Sequence, residues 1–150
     1  MRRLGVRGWL PLLALLLLLT APASARERLA PGGGMLLVAS EEIADPRFSE
    51  TVILLVRYGP EGVVGLILDR PTSLSLSQAL PEMPELGKGA DVIRWGGPVA
   101  PSTLLALLEC ENPPKVSEPV AGAVHLTGPP QVAERLSKGA AEPFRVFMGY

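Results

Sequence analysis

The sequence of 150 residues is short of the residue types that build many functional sites. Its one cysteine, Cys110, can form no internal disulfide bond, and we expect it to be a small buried hydrophobic residue. Pairing with a second molecule in an oxidising compartment is the alternative for this residue. The one histidine is His125, and the sequence has no zinc-binding spacing, no phosphate-binding loop and no dinucleotide-binding motif.

Basic residues are also sparse, and they are dispersed along the chain. Lysine and arginine number 14 against 15 acidic residues, which gives a net charge of −1. Affinity for nucleic acid depends mainly on clustered cations that face the phosphates. The composition therefore argues against a nucleic-acid-binding protein.

The first 25 residues have the pattern of a secretory signal peptide. Arg2, Arg3 and Arg7 precede an apolar run at Leu10–Leu19, and Ala23-Ser24-Ala25 supplies the small residues expected before a cleavage site. The run is too short for a retained membrane anchor. No cysteine lies near the cleavage site, so the sequence does not indicate a lipoprotein. We expect cleavage after Ala25 and export to the periplasm or the medium, without membrane association of the mature chain.

Removal of this segment takes three of the 14 basic residues and no acidic one, so the net charge falls from −1 to −4. Residues 26–33 are expected to form a flexible lead-in, because they end in Pro31 and consecutive glycines. The remaining residues, 34–150, suffice for a single domain with a hydrophobic core.

Three apolar runs open this domain, and each has the length of a buried strand. They are Met35–Ala39, Thr51–Tyr58 and Val63–Asp69. Gly59-Pro60-Glu61-Gly62 is predicted to join the last two as a four-residue hairpin connection. Between the first two, Asp45 and Pro46 favour the start of a short helical piece, with Asp45 as N-cap and Phe48 tucked beneath it.

The rest of the sequence predicts an α/β or α+β domain with a mixed sheet. Ser75 and Gln78 have the spacing of a capping box, and Pro81–Gly89 is predicted to be a surface loop. Ser102–Cys110 is ambiguous between helix and strand. The other predicted elements are strands at Asp91–Trp95, Val120–Leu126 and Phe144–Met148 and a helix at Gln131–Ser137.

Several short motifs, in unbroken order, resemble the AlgH/YqgE-like family of bacterial proteins. They are Gly34–Ala39, Asp45-Pro46-Arg47-Phe48, Thr51-Val52, Gly65–Pro71, Gly96-Gly97-Pro98-Val99 and Arg145–Tyr150. The resemblance implies a mixed sheet that folds toward a pseudo-barrel with short flanking helices, in which the leucine run after Val99 is a strand. The family has no established function, although some members carry a label as transcriptional regulators.

The sequence departs from the family pattern in three places. Asp69 stands where the family usually has asparagine, and Leu107-Leu108-Glu109 stands where many members have a histidine. The family pattern continues beyond Tyr150 with a Gly-Trp and Gly-Gln-Leu segment and a closing helix. The resemblance therefore predicts a domain that is incomplete at its C-terminus.

The residues favour a non-enzymatic domain that binds an unidentified protein partner or a small ligand. Asp69 and Arg70 end a predicted buried strand, and we expect them to line a cleft beside Gly96 and Gly97, since ligands often bind where strands end. We predict no catalytic group, metal or cofactor. Two alternatives remain open, a transcriptional regulator and a hydrolase that uses Asp45 or Asp69 with His125.

Overall fold

A computed structural model describes residues 32–88 and 92–150 of the chain. The predicted signal peptide, its cleavage site at Ala23 and Ala25 and most of the lead-in lie outside these residues. The strands are β1 (Leu36–Val38), β2 (Val52–Gly59), β3 (Gly62–Ile67), β4 (Pro71–Ser75), β5 (Val92–Trp95), β6 (Leu104–Glu109), β7 (Glu118–Ala121), β8 (Val124–Thr127) and β9 (Phe144–Met148). The helices are α1 (Leu76–Ala79), a 3₁₀ helix (Leu86–Lys88) and α2 (Pro129–Ser137).

Strands β1, β2 and β3 form an antiparallel sheet in that order. The three predicted strands are therefore present, but the hairpin differs from the prediction. Gly59 pairs directly with Gly62, so the connection is a two-residue turn at Pro60-Glu61 instead of a four-residue loop. Gly62 permits the tight turn because it adopts a φ of +128°, which is unfavourable for other residues.

The prediction that β1 is buried on both faces is wrong. Leu36, Leu37 and Val38 have 57%, 43% and 75% of their surface exposed. β1 lies at the edge of its sheet, and only β2 pairs with it among the described strands. A short apolar run has the same sequence pattern at the edge of a sheet as in its centre, so the pattern could not distinguish the two.

The second sheet has six strands in the order β4-β5-β9-β6-β8-β7. β5 and β9 are parallel and the other pairs are antiparallel, so the sheet is mixed as predicted. The single strand predicted at Val120–Leu126 is instead the hairpin of β7 and β8, which turns at Gly122 with a φ of +53°. Pro71 begins β4 at the edge of this sheet, where a residue without an N–H group is tolerated.

The ambiguous run at 102–110 contains strand β6. The helix predicted at Gln131–Ser137 is α2, and the predicted capping box at Ser75 and Gln78 is also present. Ser75 accepts a hydrogen bond from the backbone of Gln78, whose side chain accepts one from the backbone N–H of Ser75. The predicted surface loop at Pro81–Gly89 contains the 3₁₀ helix, whose Leu86 is fully buried. That part of the prediction is wrong because Leu86, a single apolar residue two positions after Pro84, was given no core role.

Two hydrophobic cores result, one on each face of the six-stranded sheet. Helices α1 and α2 and the 3₁₀ helix cover one face, where Leu86, Ile93 and Val146 are buried. The other face packs against the three-stranded sheet, and Leu54, Leu66 and Phe147 are buried between the two sheets.

Two contacts join the edges of the two sheets, which together form a mixed α+β fold as predicted. The backbone N–H of Ile67 donates to the carbonyl of Gly96 at 2.8 Å. At the other seam, Arg57 of β2 pairs with Glu118 of β7 at 2.5 Å.

None of the helices in the described part of the chain is long and apolar enough to cross a membrane.

Candidate functional site: an apolar cleft on the three-stranded sheet

An apolar cleft lies on the face of the three-stranded sheet that points away from the inter-sheet core. Leu37, Ile53 and Ile67 lie side by side across β1, β2 and β3; Ile53 and Ile67 form the floor of the cleft, and Leu37 lies at its rim. The cleft has a volume of about 280 Å³. Its other lining residues come from the adjoining strands, turn and loop, and they are Phe48, Leu55, Gly65, Gly96, Gly97, Pro98, Val99 and Tyr150.

Gly65 allows the side chain of Ile53 to lie directly against β3 in the floor. A Cβ atom at this position would lie 2.7 Å from Cγ2 of Ile53, closer than carbon atoms pack. Since residues along a strand alternate between the two faces, Leu66 next to it points into the inter-sheet core. The Gly-Leu-Ile sequence therefore supplies both the core and the floor of the cleft.

One wall of the cleft is Phe48, which a tight turn holds in place. The carbonyl of Asp45 accepts hydrogen bonds from the N–H groups of Phe48 and Ser49, and its carboxylate accepts one from the N–H of Arg47. Asp45 thus caps this segment as predicted, but the segment forms a hydrogen-bonded turn instead of a helix. It ends after too few residues for a helix, at Glu50 with a φ of +54°.

The side chain of Arg47 links the cap to this wall. Its guanidinium group pairs with the Asp45 carboxylate at 2.6 Å and lies 5.6 Å from the centroid of the Phe48 ring. The hydrogen bond from the Arg47 side chain, together with one from its backbone, lowers the pKa of Asp45 from 3.8 to about 2. Asp45 is therefore ionised at neutral pH and already has a partner.

Asp69 and Arg70, two of the predicted site residues, do not line the cleft. The Asp69 carboxylate accepts a hydrogen bond from the N–H of Val52 at 3.2 Å, at the start of β2. The guanidinium group of Arg70 donates to the carbonyl of Ser49 at 2.7 Å. Arg70 therefore holds the turn that carries Phe48 and Asp69 holds the start of β2, so their contribution to the cleft is indirect.

Gly96 and Gly97, the other two predicted site residues, do line the cleft, and close packing of the backbone requires them. A Cβ atom on Gly96 would lie 2.4 Å from the carbonyl oxygen of Gly149, and one on Gly97 would lie 2.5 Å from that of Tyr150. The N–H of Val99 donates to the Tyr150 carbonyl at 2.8 Å, and the N–H of Tyr150 donates back at 3.0 Å. These hydrogen bonds seat Tyr150 as the second wall of the cleft.

The structure does not bring together the groups of the hydrolase hypothesis. His125 lies on β8 of the six-stranded sheet, and its Nδ1 is 2.9 Å from the carbonyl oxygen of Ala123. Asp45 pairs with Arg47 and Asp69 with a backbone N–H. Within residues 32–88 and 92–150, no three Asp, Glu, His or Cys side chains converge as a metal site would require.

Cys110 is buried and unpaired, as expected from the sequence. Burial raises the pKa of its thiol, which disfavours the reactive thiolate form.

A second cavity, of about 300 Å³, opens between the sheets beside Leu54, Leu107 and Val124. Arg145 and Glu109 also line it, so its lining carries charge, in contrast to the apolar lining of the outer cleft.

Sequence reasoning missed the strongest contributors to the cleft, which are Leu37, Ile53, Phe48 and Tyr150. Leu37 and Ile53 were expected to be buried strand residues, and Phe48 to pack beneath a helix. The signal that was available is the glycine in the middle of β3, since glycine inside a strand often marks a close approach or an open space.

Comparison with known proteins relates residues 36–150 to a family described as AlgH-like. A UPF0301 protein of Streptomyces coelicolor is 29% identical over 138 residues, and the match covers 71% of this chain and 72% of that protein. A UPF0301 protein of Streptomyces avermitilis is 33% identical over 123 residues, with 78% of this chain and 63% of that protein covered. The chain thus spans roughly two thirds of the length of these two relatives.

Two solved structures have a similar fold. The crystal structure of a Corynebacterium diphtheriae protein matches with a TM-score of 0.68 at 18% identity, over 83% of this chain and 68% of that one. The solution structure of the AlgH protein from Pseudomonas aeruginosa matches with a TM-score of 0.60 at 25% identity, over 81% and 68%. The sequence motifs, the family match and the fold agree, and the chain belongs to the AlgH-like family.

Proposed function

We propose that this chain is an exported, non-enzymatic binding domain that holds an apolar group of its partner in the cleft on the three-stranded sheet. The observation that carries this proposal is the cleft itself, with its apolar walls and its partly open rim. Leu37 and Val99 at the rim have 43% and 53% of their surface exposed. Covering such apolar surface on binding is favourable, by about 25 cal/mol for each Å² removed from water.

The proposal assigns no catalytic step to the cleft. Its lining residues carry no acid, base or nucleophile except the Tyr150 hydroxyl group. The charged groups beside Phe48 are Asp45, Arg47 and Arg70, which bond to one another or to the backbone and support the wall that Phe48 forms. An apolar lining that is rigidly supported is typical of a binding site.

The cleft can be tested with small apolar probes and methyl NMR spectra. Indole and cyclohexanol should cause saturable shifts of the methyl signals of Ile53, Leu55 and Ile67. Leu37→Ser and Val99→Ser should each weaken these shifts, because each removes apolar surface from the rim. Val63→Ser is the matched control, since Val63 is a strand residue with 57% exposure that lies outside the cleft.

Two results would contradict the proposed site. One is an absence of saturable shifts at the cleft methyl groups. The other is a response confined to Leu107 and Val124, which line the cavity between the sheets. Specific retardation of DNA by the purified chain would instead favour the function of a transcriptional regulator.

Arg70 provides a second test, because it acts on the cleft through the turn that carries Phe48. Arg70→Ala removes the hydrogen bond to the Ser49 carbonyl and should reduce probe affinity while the chain stays folded. Arg70→Lys should restore part of the affinity, since lysine can still donate to a carbonyl. Arg145→Ala is the control, because Arg145 lies at the other cavity. Equal affinity of Arg70→Ala and the unmodified chain would exclude this positioning role.

Export is the part of the proposal that rests on the sequence of residues 1–25. Expression in a bacterium with an intact secretion system, followed by fractionation and intact mass measurement, tests it. We expect a protein outside the cytoplasm whose mass corresponds to a chain that begins at Arg26. Recovery of the uncleaved chain in the cytosol would exclude export without affecting the binding proposal.

A further inference from the structure

The backbone of β1 has hydrogen-bonding groups that point away from its sheet. In an antiparallel pair, alternate residues exchange hydrogen bonds with the partner strand, and the residues between them point outward. Ala39 donates to the carbonyl of Thr51, and the carbonyl of Met35 accepts from Leu55. The bonded positions are therefore the odd-numbered ones, and the N–H and C=O groups of Leu36 and Val38 face the edge that no described strand covers, which we call the open edge.

This open edge is continuous with the apolar cleft. Leu37 lies between Leu36 and Val38, and its side chain belongs both to the edge strand and to the cleft lining. A strand added at the edge would have one residue directly opposite Leu37, with the two Cβ atoms about 5 Å apart. The side chain of that residue would stand at the mouth of the cleft.

Two negatively charged side chains follow the end of β1. Glu41 and Glu42 occupy the corner of a turn that is closed by a hydrogen bond from the N–H of Ile43 to the carbonyl of Ser40. Both carboxylates are exposed, and the ion pairs in the described part of the chain involve other acidic residues. A segment that lies along β1 and extends past Ser40 would meet these two negative charges.

We infer that the occupant of the cleft is an extended protein segment that adds to β1 as a fourth, antiparallel strand. An apolar residue of the segment lies opposite Leu37, and lysine or arginine a few residues before it lies beside Glu41 and Glu42. Main-chain hydrogen bonds to Leu36 and Val38 give affinity, and the cleft and the charges give selectivity. This inference rests on the proposed function and names the class of its partner.

The probe for the test is a dye-labelled peptide with two lysines before an alternating Val-Thr-Val-Thr-Val segment, measured by fluorescence anisotropy. Val38→Pro removes one outward N–H and leaves the hydrogen bonds between β1 and β2 intact, because proline is tolerated at an outward position of an edge strand. We expect the affinity to fall about tenfold. Val38→Thr keeps the N–H and the branched shape, and it should bind like the unmodified chain.

A second version of this binding test uses the unmodified protein with altered peptides, so it does not depend on the folding of a variant. Methylation of the peptide nitrogens that face β1 should abolish binding, and methylation of the alternate nitrogens should have little effect. Equal effects of the two methylation patterns would overturn the inference, because they would show that no strand is added.

The charge requirement is tested by reversing the peptide and by removing the carboxylates. A peptide with its lysines after the apolar segment should bind more weakly, and Glu41→Gln with Glu42→Gln should reduce binding of the original peptide about two- to fivefold at low salt. Glu61→Gln is the control, since Glu61 lies at the far end of the sheet in the β2–β3 turn. Equal affinity for the two peptides would overturn the charge requirement.

Two further outcomes separate this inference from the proposed function. If indole and cyclohexanol still shift the cleft methyl groups but no peptide binds, the cleft proposal stands and the peptide inference fails. If neither probe binds, both fail. Dimers that form without peptide, and that Val38→Pro prevents, would show that a second copy of the chain occupies the edge and would overturn the inference of a separate partner.

Discussion

At the scale of single residues, the cleft depends on places where the backbone of one segment touches the backbone of another. Gly149 has a φ of +72°, and a Cβ atom on it would lie 2.3 Å from the carbonyl oxygen of Gly97. The sequence predicted this feature only in part, since Gly96 and Gly97 were expected beside a cleft but no neighbouring segment was identified for them. The identity of that neighbour could not be predicted, because Gly149 lies far away along the chain.

The contact at Gly149 leads to a prediction about stability. Gly149→Ala should lower the free energy of unfolding by about 3 kcal/mol, through both backbone strain and the clash with Gly97. Gly122→Ala is the matched control, because Gly122 also has a positive φ, +53°, but has open space around it. It should cost about 1 kcal/mol. Urea denaturation measures both values, and equal losses would show that the crowding at Gly149 is unimportant.

The pair formed by Asp45 and Arg47 leads to a prediction about pH. The pKa of Asp45 is lowered to about 2 in the folded chain, so its stabilising contribution is present above its ordinary value of 3.8. That contribution is lost as the pH falls from 3.8 through about 2. Arg47→Ala should raise the pKa of Asp45 toward 3.8, as measured by NMR titration of its carboxyl carbon. Arg145→Ala should leave this pKa unchanged, and a pKa unmoved by Arg47→Ala would contradict the assignment.

At the scale of secondary structure, the sequence predicted the presence of strands better than their surroundings. The runs that became β2, β3 and β9 were identified with bounds close to those observed. β1 was expected to be buried, and β7 and β8 were merged into one strand. Local pattern does not show whether a neighbouring strand is present, and the two-residue turn at Gly122-Ala123 lacks a strong turn sequence.

The 3₁₀ helix at Leu86–Lys88 shows what a proline-rich stretch can conceal. Leu86 is fully buried in the core beneath the helices. Leu86→Ala should therefore lower the free energy of unfolding by about 2 to 5 kcal/mol, the usual cost of truncating a buried leucine. Leu74→Ala, at a position with 36% exposure, should cost less than about 1 kcal/mol. Similar losses for both variants in urea denaturation would contradict the buried role of Leu86.

At the scale of the whole molecule, the family resemblance implied one mixed sheet that folds toward a pseudo-barrel, and the division into a three-stranded and a six-stranded sheet was not predicted. Periodicity predicted a mixed sheet, whereas the order of the strands depends on pairings between residues far apart in sequence, such as Arg94 with Phe147. The positions of the predicted site residues also depend on contacts between residues far apart in sequence. Gly96 and Gly97 reach the cleft, while Asp69 and Arg70 support it from behind through Val52 and Ser49.

The central claim is that the cleft and the edge of β1 bind one extended segment together. The most direct measurement is the set of intermolecular NOEs between the methyl-labelled chain and the bound lysine-valine peptide. We predict NOEs from a valine of the peptide to the methyl groups of Leu37 and Ile53. NOEs to Leu107 and Val124 instead would place the ligand between the sheets and would contradict the account.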